Sequence, residues 1–395
     1  SIAPAACEPA ARLRAKRRAA VLCFVLAALL FERLPTIAAV ALLGLLLYQL
    51  FFIRNRRLIA LCLSSLLSWG LFEYAGRRII ERHVAKTHDL DVDHRMKPNP
   101  AGGINSDGIR CPFEAGAVRD EDFNVIFLGD SFTFGLWLDD ERDAFPAQVE
   151  RMFRLRDPHS PLRAVNFGWA SSSPLLSYRL LRDIGAKYKP DLVVLSLDMT
   201  DFSDDIRYRH QIGYPVLSPT LYLIHVAGLD SAVSMLYDDF RFRSIIPRHA
   251  VPKNVAMPYF FLALQPFEQS RPFVQETERN IRDIHAFCRD TLKCSFVLLL
   301  LPRGFQYSDR ESPRDPEAHL YPPLGPHVDA PDDWLADFAA RADFPCHSLL
   351  THFRNAGVYP TCFENDPHWN RDGHRVAAEA VYEILQAHAP PPQRE

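Results

Sequence analysis

The chain contains no GxGxxG, no P-loop, no HExxH, no CxxC pair and no internal repeat. Dinucleotide, nucleoside-triphosphate and zincin chemistry therefore have no sequence signal. An excess of one charge is missing too. The 45 Lys and Arg stand against 48 Asp and Glu, a formal net charge of −3, so nothing points to a nucleic-acid partner. The 31 prolines form no low-complexity tract; they punctuate long connections, which reads as loops rather than disorder. What is present is 395 residues, enough for a sizeable core and a smaller module.

The first 80 residues differ from the rest. Apolar stretches run from Ala19 to Phe31, Ile37 to Ile53 and Leu58 to Phe72. A helix needs about 20 residues to cross the hydrocarbon core, and each run reaches that length when its ends are extended. Lys16, Arg17, Arg18 and Arg57 suit the headgroups, and Trp69 and Tyr74 suit the interface. The break at Glu32-Arg33-Leu34-Pro35 reads as a tight turn between antiparallel helices. Arg12, Arg14, Lys16, Arg17 and Arg18 precede the first run, and Arg54, Arg56 and Arg57 follow the second. A hairpin places both clusters on one face, which the positive-inside rule makes cytoplasmic. A third span then exports everything after about residue 76, with Arg77 and Arg78 opposed but outnumbered. A signal peptide is the competing reading of the first run, but no small-residue cleavage site follows it. The expectation is an anchor over 1–76 with three transmembrane helices, contacting the lipid bilayer.

Residues 77–122 lack a strong period and read as a connector and domain edge. From Asn124 short apolar runs alternate with helical ones. The predicted strands are Asn124–Leu128, Ala164–Phe167, Leu192–Leu197, Ser295–Leu301 and Cys346–Leu350; the predicted helices are Ala144–Phe153, Leu175–Ala186, Glu276–Cys288 and Gly373–Ala387. Continuous apolar strands suit a parallel sheet buried on both faces, and the alternation implies βαβ crossovers. The fold class is thus α/β, a flavodoxin-like three-layer sandwich with a parallel sheet, behind an all-α transmembrane segment. Insertions interrupt it at 205–275 and 303–343. The first holds Leu221-Tyr222-Leu223-Ile224 and Pro258-Tyr259-Phe260-Phe261, a lid, a partner surface or core padding. Long insertions on the carboxyl edge of such a sheet commonly shape a ligand site.

The most informative stretch is Val125-Ile126-Phe127-Leu128-Gly129-Asp130-Ser131-Phe132-Thr133-Phe134-Gly135. An apolar strand ends in Gly-Asp-Ser, which puts the Ser131 hydroxyl at the carboxyl end of the first sheet strand, where such sheets bind ligands. A serine hydroxyl is a weak nucleophile without a base. The candidate base lies in Asn365-Asp366-Pro367-His368-Trp369-Asn370-Arg371-Asp372-Gly373-His374. Asp366 and His368 flank one residue, so Asp366 can hold the imidazole tautomer while His368 takes the serine proton.

These blocks resemble the SGNH/GDSL hydrolase superfamily, in particular its branch with GDSFTFG and DxHWNxxGH blocks. Asn105-Ser106-Asp107-Gly108-Ile109-Arg110 also looks like that branch, and the likeness covers roughly 95–388. The resemblance implies Ser131 as nucleophile, His368 as base and Asp366 as its orienter. It implies an oxyanion hole from the N–H groups of Ser131 and Gly168, with Thr200 where the family usually offers an asparagine side chain. A threonine has a shorter reach, and one lost oxyanion donor costs about 3 kcal/mol in the barrier. The implied activity is that of a serine esterase or O-acyltransferase, acting through an acyl-serine on an acylated cell-envelope glycan or similar ester. The alternative is a non-catalytic SGNH-like subunit within a larger membrane-protein complex. No cofactor or metal is implied; Asp198, Asp201, Asp204 and Asp205 read as a solvated or capping acidic loop. His374, at a helix start, reads as capping or packing. Phe132, Phe134, Trp137 and Trp169 line either an acyl or sugar pocket or the core. The hydrolase-like domain is 123–388, on the periplasmic or extracellular side. Cys111, Cys288, Cys294, Cys346 and Cys362 fall in it, with Cys346–Cys362 the first expected bridge and Cys288–Cys294 the second.

Overall fold

The computed structural model of the chain describes residues 43–48, 56–83, 86–89, 93–212 and 258–389. The chain divides into two compact units, residues 1–85 with 214–249 and residues 86–213 with 250–395. The expected span at 19–31, most of that at 37–53 and the Leu221–Ile224 segment lie outside the described residues.

In the first unit a single helix, α1 (Arg56–His83), carries the third apolar run. Within it Arg56–Gly76 is long and apolar enough to cross a membrane, with mean hydropathy 1.5. Its Leu58 and Cys62 pack on Leu45 and Leu46 from the short helical stretch at 43–48. Leu61, Leu63, Leu67, Leu71 and Tyr74 remain exposed.

The second unit opens with an antiparallel hairpin, β1 (Lys86–Asp89) and β2 (Asp93–Met96). Its core is a parallel sheet of β3 (Phe123–Gly129), β4 (Leu162–Gly168), β5 (Leu192–Leu197), β6 (Ser295–Leu300) and β7 (Cys346–Ser348), ordered β4-β3-β5-β6-β7. Counted from its first strand this is the flavodoxin-like order 2-1-3-4-5, whose topological switch lies beside the first strand. Strand periodicity divides β3 between two layers: Ile126 and Leu128 face one hydrophobic cluster, Val125 and Phe127 the other. The first cluster is covered by α4 (Pro174–Ile184), α5 (Met199–Gln211), α6 (Gln275–Phe287) and α7 (Ala330–Ala339). The second is covered by α3 (Phe145–Arg156) and α8 (Arg371–Leu385). Between β3 and α3 lies the one-turn helix α2 (Ser131–Phe134). The last pieces are the short antiparallel strands β8 (Cys362–Phe363) and β9 (Asp366–Trp369).

All five expected sheet strands form, with shifts at their ends. β6 stops at Leu300, ahead of Pro302, which disfavours helix or ladder continuation. β7 stops at Ser348 because the Ser348 hydroxyl accepts the Leu350 N–H at 3.1 Å and opens a short helix, Leu350–Asn355. The expected acidic loop is instead the start of α5. Asp198 caps it, and Asp201 completes a capping box by accepting the Asp198 N–H at 2.8 Å. All four aspartates are buried, not solvated. The helix N-terminus favours negative charge there.

Neither expected disulfide forms, and the six described cysteines are free thiols. Cys346 packs with the cluster under α4 to α7 and Cys362 with the cluster under α3 and α8, so the sheet separates them. Cys288 and Cys294 do meet at the end of α6, where the Cys294 N–H bonds the Cys288 carbonyl at 3.0 Å, but as free thiols.

Candidate active site

Ser131 sits where β3 ends and α2 begins. Gly129 makes that turn with φ +154, and a Cβ there would collide with the Thr133 side chain and approach the Ser196 carbonyl at 3.0 Å. Asp130 then caps α2, accepting the Phe132 N–H at 2.9 Å. The far end of the same turn is held by Arg110, from the Asn105–Arg110 stretch. Its buried guanidinium donates to the carbonyls of Phe134 at 3.0 Å, Gly135 at 2.6 Å and Leu138 at 2.7 Å. That stretch is itself folded around Asn105, whose Oδ1 accepts the N–H groups of Asp107 and Ile109 at 3.1 Å.

The other candidate residues arrive on β9. Ser131 Oγ lies 2.7 Å from His368 Nε2, and His368 Nδ1 lies 2.5 Å from Asp366 Oδ1. A carboxylate only accepts, so Nδ1 carries the ring proton and Nε2 is free to accept from the serine. Asp366 Oδ1 also accepts the His368 N–H at 2.9 Å, while its Oδ2 accepts the Trp137 indole N–H at 2.9 Å. Burial alone would push the Asp366 carboxyl up, but these bonds and the imidazole hold it below the usual carboxylate range. The Phe132 ring packs on the imidazole at 4.9 Å and meets Trp369 edge-on.

The two remaining expected donors are differently occupied. Gly168 pairs with Gly129 across the ends of β3 and β4. Its N–H is spent on Asn166 Oδ1 at 2.9 Å, and a Cβ there would overlap the Phe134 N–H and the Thr133 carbonyl carbon. Glycine is required at 168 for α2 to pack on β4. The Thr200 hydroxyl donates to Asp198 Oδ1 at 2.6 Å, the same oxygen that takes the Thr200 N–H at 2.7 Å. Thr200 does line the cleft, but its only hydroxyl proton is used.

Ser131, Asp366 and His368 open into a cleft of about 350 Å³. Both insertions contribute to its walls: Tyr259 from the first, Arg303, Asp315, Pro316 and Glu317 from the second. Ser171, Asp204, Arg207 and Asn365 complete most of the rest. Sequence reasoning missed Ser171, Arg207 and Arg303. Ser171 has φ +64, and its carbonyl accepts the Tyr208 hydroxyl while His94 Nε2 holds the neighbouring Ala170 carbonyl at 3.2 Å. The run Ser171-Ser172-Ser173-Pro174, a turn leading into a helix with Pro at its first position, was the available signal. Arg207 bridges Asp204 at 3.1 Å and the Tyr259 hydroxyl at 2.9 Å.

Other candidates resolve into structural parts. His374 is buried on α8, and its Nδ1 accepts the Phe145 N–H at 3.2 Å; burial pushes it down to about 3, so it stays neutral. Phe132, Phe134 and Trp169 are core residues, and Trp137 alone of the four aromatics is exposed. Carboxylate oxygens of Asp130, Asp198 and Asp201 lie within 4.8 Å of one another. Burial and the neighbouring Asp198 push Asp130 up, and the Arg303 guanidinium sits on Asp198, so the cluster carries a counter-charge of its own.

The strand order and the placement of the serine turn after the first sheet strand give this unit a flavodoxin-like three-layer α/β fold. No family model matches the chain, and no curated protein matches it in sequence. Solved structures similar in fold include TesA, with a TM-score of 0.37 and 15% identity over 67% of this chain and 98% of that one. A catalytic mutant of Axe2, an acetylxylan esterase from Geobacillus stearothermophilus, gives 0.36 and 14% over 70% and 99%. The psychrotrophic esterase EstA from Pseudoalteromonas sp. gives 0.37 and 10% over 68% and 98%.

Proposed function

We propose that the chain is a membrane-anchored serine esterase or O-acyltransferase that works through an acyl-Ser131 intermediate. The observation that carries this is the hydrogen-bonded row Ser131, His368, Asp366 opening into a cleft that both insertions wall. In this reading Ser131 Oγ attacks an ester carbonyl as its proton passes to His368 Nε2, and Asp366 steadies the imidazolium that forms. His368 then protonates the leaving alkoxide, and water or a glycan hydroxyl takes the acyl group from Ser131. The cleft's carboxylates and the Tyr259 hydroxyl suit a hydroxyl-rich acceptor, in keeping with an acylated cell-envelope glycan. Incubating the full chain in native membranes with a fluorophosphonate and with a short activated ester tests it. Covalent labelling and burst-phase release are expected; neither appearing would leave the non-catalytic subunit as the better reading.

The anchor belongs to the same proposal. The exposed leucines of α1 and its 21-residue apolar stretch support burial in lipid. The N-terminus is then cytoplasmic and the hydrolase-like unit periplasmic or extracellular. Reporter fusions after residue 55 and after residue 80 should report opposite sides, and both reporting one side would overturn the topology.

A further inference from the structure

Two of the three oxyanion donors that the sequence pattern implies are spent elsewhere: the Gly168 N–H on Asn166 and the Thr200 hydroxyl on Asp198. The cleft wall beside Thr200 holds a different donor. Arg303 follows β6 after Pro302, and its side chain is only 5% exposed. Its Nε and Nη2 grip Asp198 Oδ2 at 2.7 and 2.6 Å, and Nη2 reaches Thr200 Oγ1 at 3.4 Å. Phe132 and Phe260 lie against the guanidinium at 5.0 and 4.9 Å. Phe132 is also the ring that packs on His368. A guanidinium offers five N–H bonds in one plane. Here one edge is pinned by Asp198, and Nη1 has no acceptor among the described residues. Arg303 lines the same cleft as Ser131 and His368. The result is a buried cation of fixed orientation with an unspent donor in the wall of the cleft that holds the candidate nucleophile.

We propose that Arg303 is a catalytic residue that donates from Nη1 to the substrate's carbonyl oxygen as it becomes an oxyanion, in place of the missing asparagine. The inference rests on the esterase reading above. As Ser131 Oγ bonds to the carbonyl carbon, the C=O π pair moves onto the oxygen and the serine proton moves to His368. The new negative charge is met by the Ser131 N–H and by Nη1. When the tetrahedral centre collapses the pair returns to re-form C=O, and the alkoxide leaves with the proton from His368. A charged donor makes a stronger bond to an oxyanion than a neutral amide does. The Asp198 ion pair holds it in place before charge develops, so no reorganisation is needed at the transition state.

The test uses the full chain in membranes or detergent and p-nitrophenyl acetate, a neutral ester with no anionic group for an arginine to anchor. Arg303→Ala should lower kcat about 10²- to 10³-fold with KM changed only a few-fold, and added guanidinium ion should restore part of the rate. Arg303→Lys keeps a cation on Asp198 and so tests the same point if the alanine variant does not fold. Its kcat should fall at least about tenfold, because an ammonium cannot grip Asp198 along one edge and present a second arm. Wild-type kcat in either folded variant, a defect confined to KM, or a loss in folded Arg303→Ala that guanidinium leaves untouched would overturn the role of Arg303. A wild-type chain that turns over no ester would instead overturn the esterase reading itself.

Discussion

Ser131→Ala should abolish fluorophosphonate labelling and lower ester turnover by about five orders of magnitude or more, while the protein melts at nearly the wild-type temperature. In the proposed mechanism nucleophile and base act as one unit, so removing either member should forfeit most of their joint effect. The fold should survive because, beyond His368, the serine hydroxyl makes only a long 3.4 Å contact to Asp130 Oδ2. The α2 turn is capped by Asp130, and the Ser131 carbonyl, which alanine keeps, accepts the N–H groups of Gly135 and Leu136 at 3.0 Å. Arg110 grips the other end of the turn independently of residue 131. His368 loses a partner but keeps Asp366, and Asp130 loses the long serine contact but keeps the Phe132 N–H. Labelling that persists in the alanine variant would show that another serine reacts, and a melting temperature lowered by more than a few degrees would show that Ser131 has a structural duty.

Replacing Asp366 tests the other end of the row, and the choice of substituent carries the information. Asp366→Ala removes the acceptor of two His368 N–H groups and of the Trp137 indole. The ring is then free to turn and to take either tautomer, so kcat should fall by about 10⁴. Asp366→Asn should lie between alanine and wild type. An amide has one accepting and one donating end, and it faces two donors from His368 against one from Trp137. Its oxygen should therefore turn to His368, keeping the useful tautomer and losing only the negative charge that steadies the imidazolium. Trp137, being exposed, can release its indole N–H to water. Adding Trp137→Phe to Asp366→Asn removes the remaining donor-to-donor conflict and should leave kcat equal or higher. An asparagine variant no better than alanine, improved by Trp137→Phe, would mean that the amide had turned the other way. An Asp366→Ala variant within tenfold of wild type would remove Asp366 from the mechanism.

Much of this organisation follows from local sequence alone. β3, β5 and β6 are covered by helices on both faces, so they are apolar at nearly every position, and Val125–Leu128, Leu192–Leu197 and Phe296–Leu300, with Ser196 the exception among them, can be read directly. Ser131, Asp366 and His368 are legible because each sits in a short block whose residues act on one another within a turn: Gly129 opens the turn for Ser131, and Asp366 bonds His368 two residues on. The acidic run at Asp198–Asp205 left a solvated and a capping loop open because the two share a composition, and capping is what Asp198 and Asp201 do. Packing against distant residues buries that run: Leu175 and Asn280 bond Asp205, and Arg303 bonds Asp198.

What tertiary structure alone decided is which donor stands beside the expected ones once those are spent. Gly168 matches the expected pattern, yet its N–H is taken by Asn166, two residues back on the same strand. Thr200 sits at the expected place, yet its proton goes to Asp198. The guanidinium that lies beside them comes from Arg303, 105 residues from the aspartate that holds it. Arg110 reaches the nucleophile turn from 24 and 25 residues away through carbonyl oxygens, which any sequence supplies. Residue type and spacing specify strands, turns and a serine with its base, because those depend on neighbours in the chain. Which distant donor comes to stand beside Thr200, here the Arg303 guanidinium, depends on what folding brings together, and no local pattern carries that information.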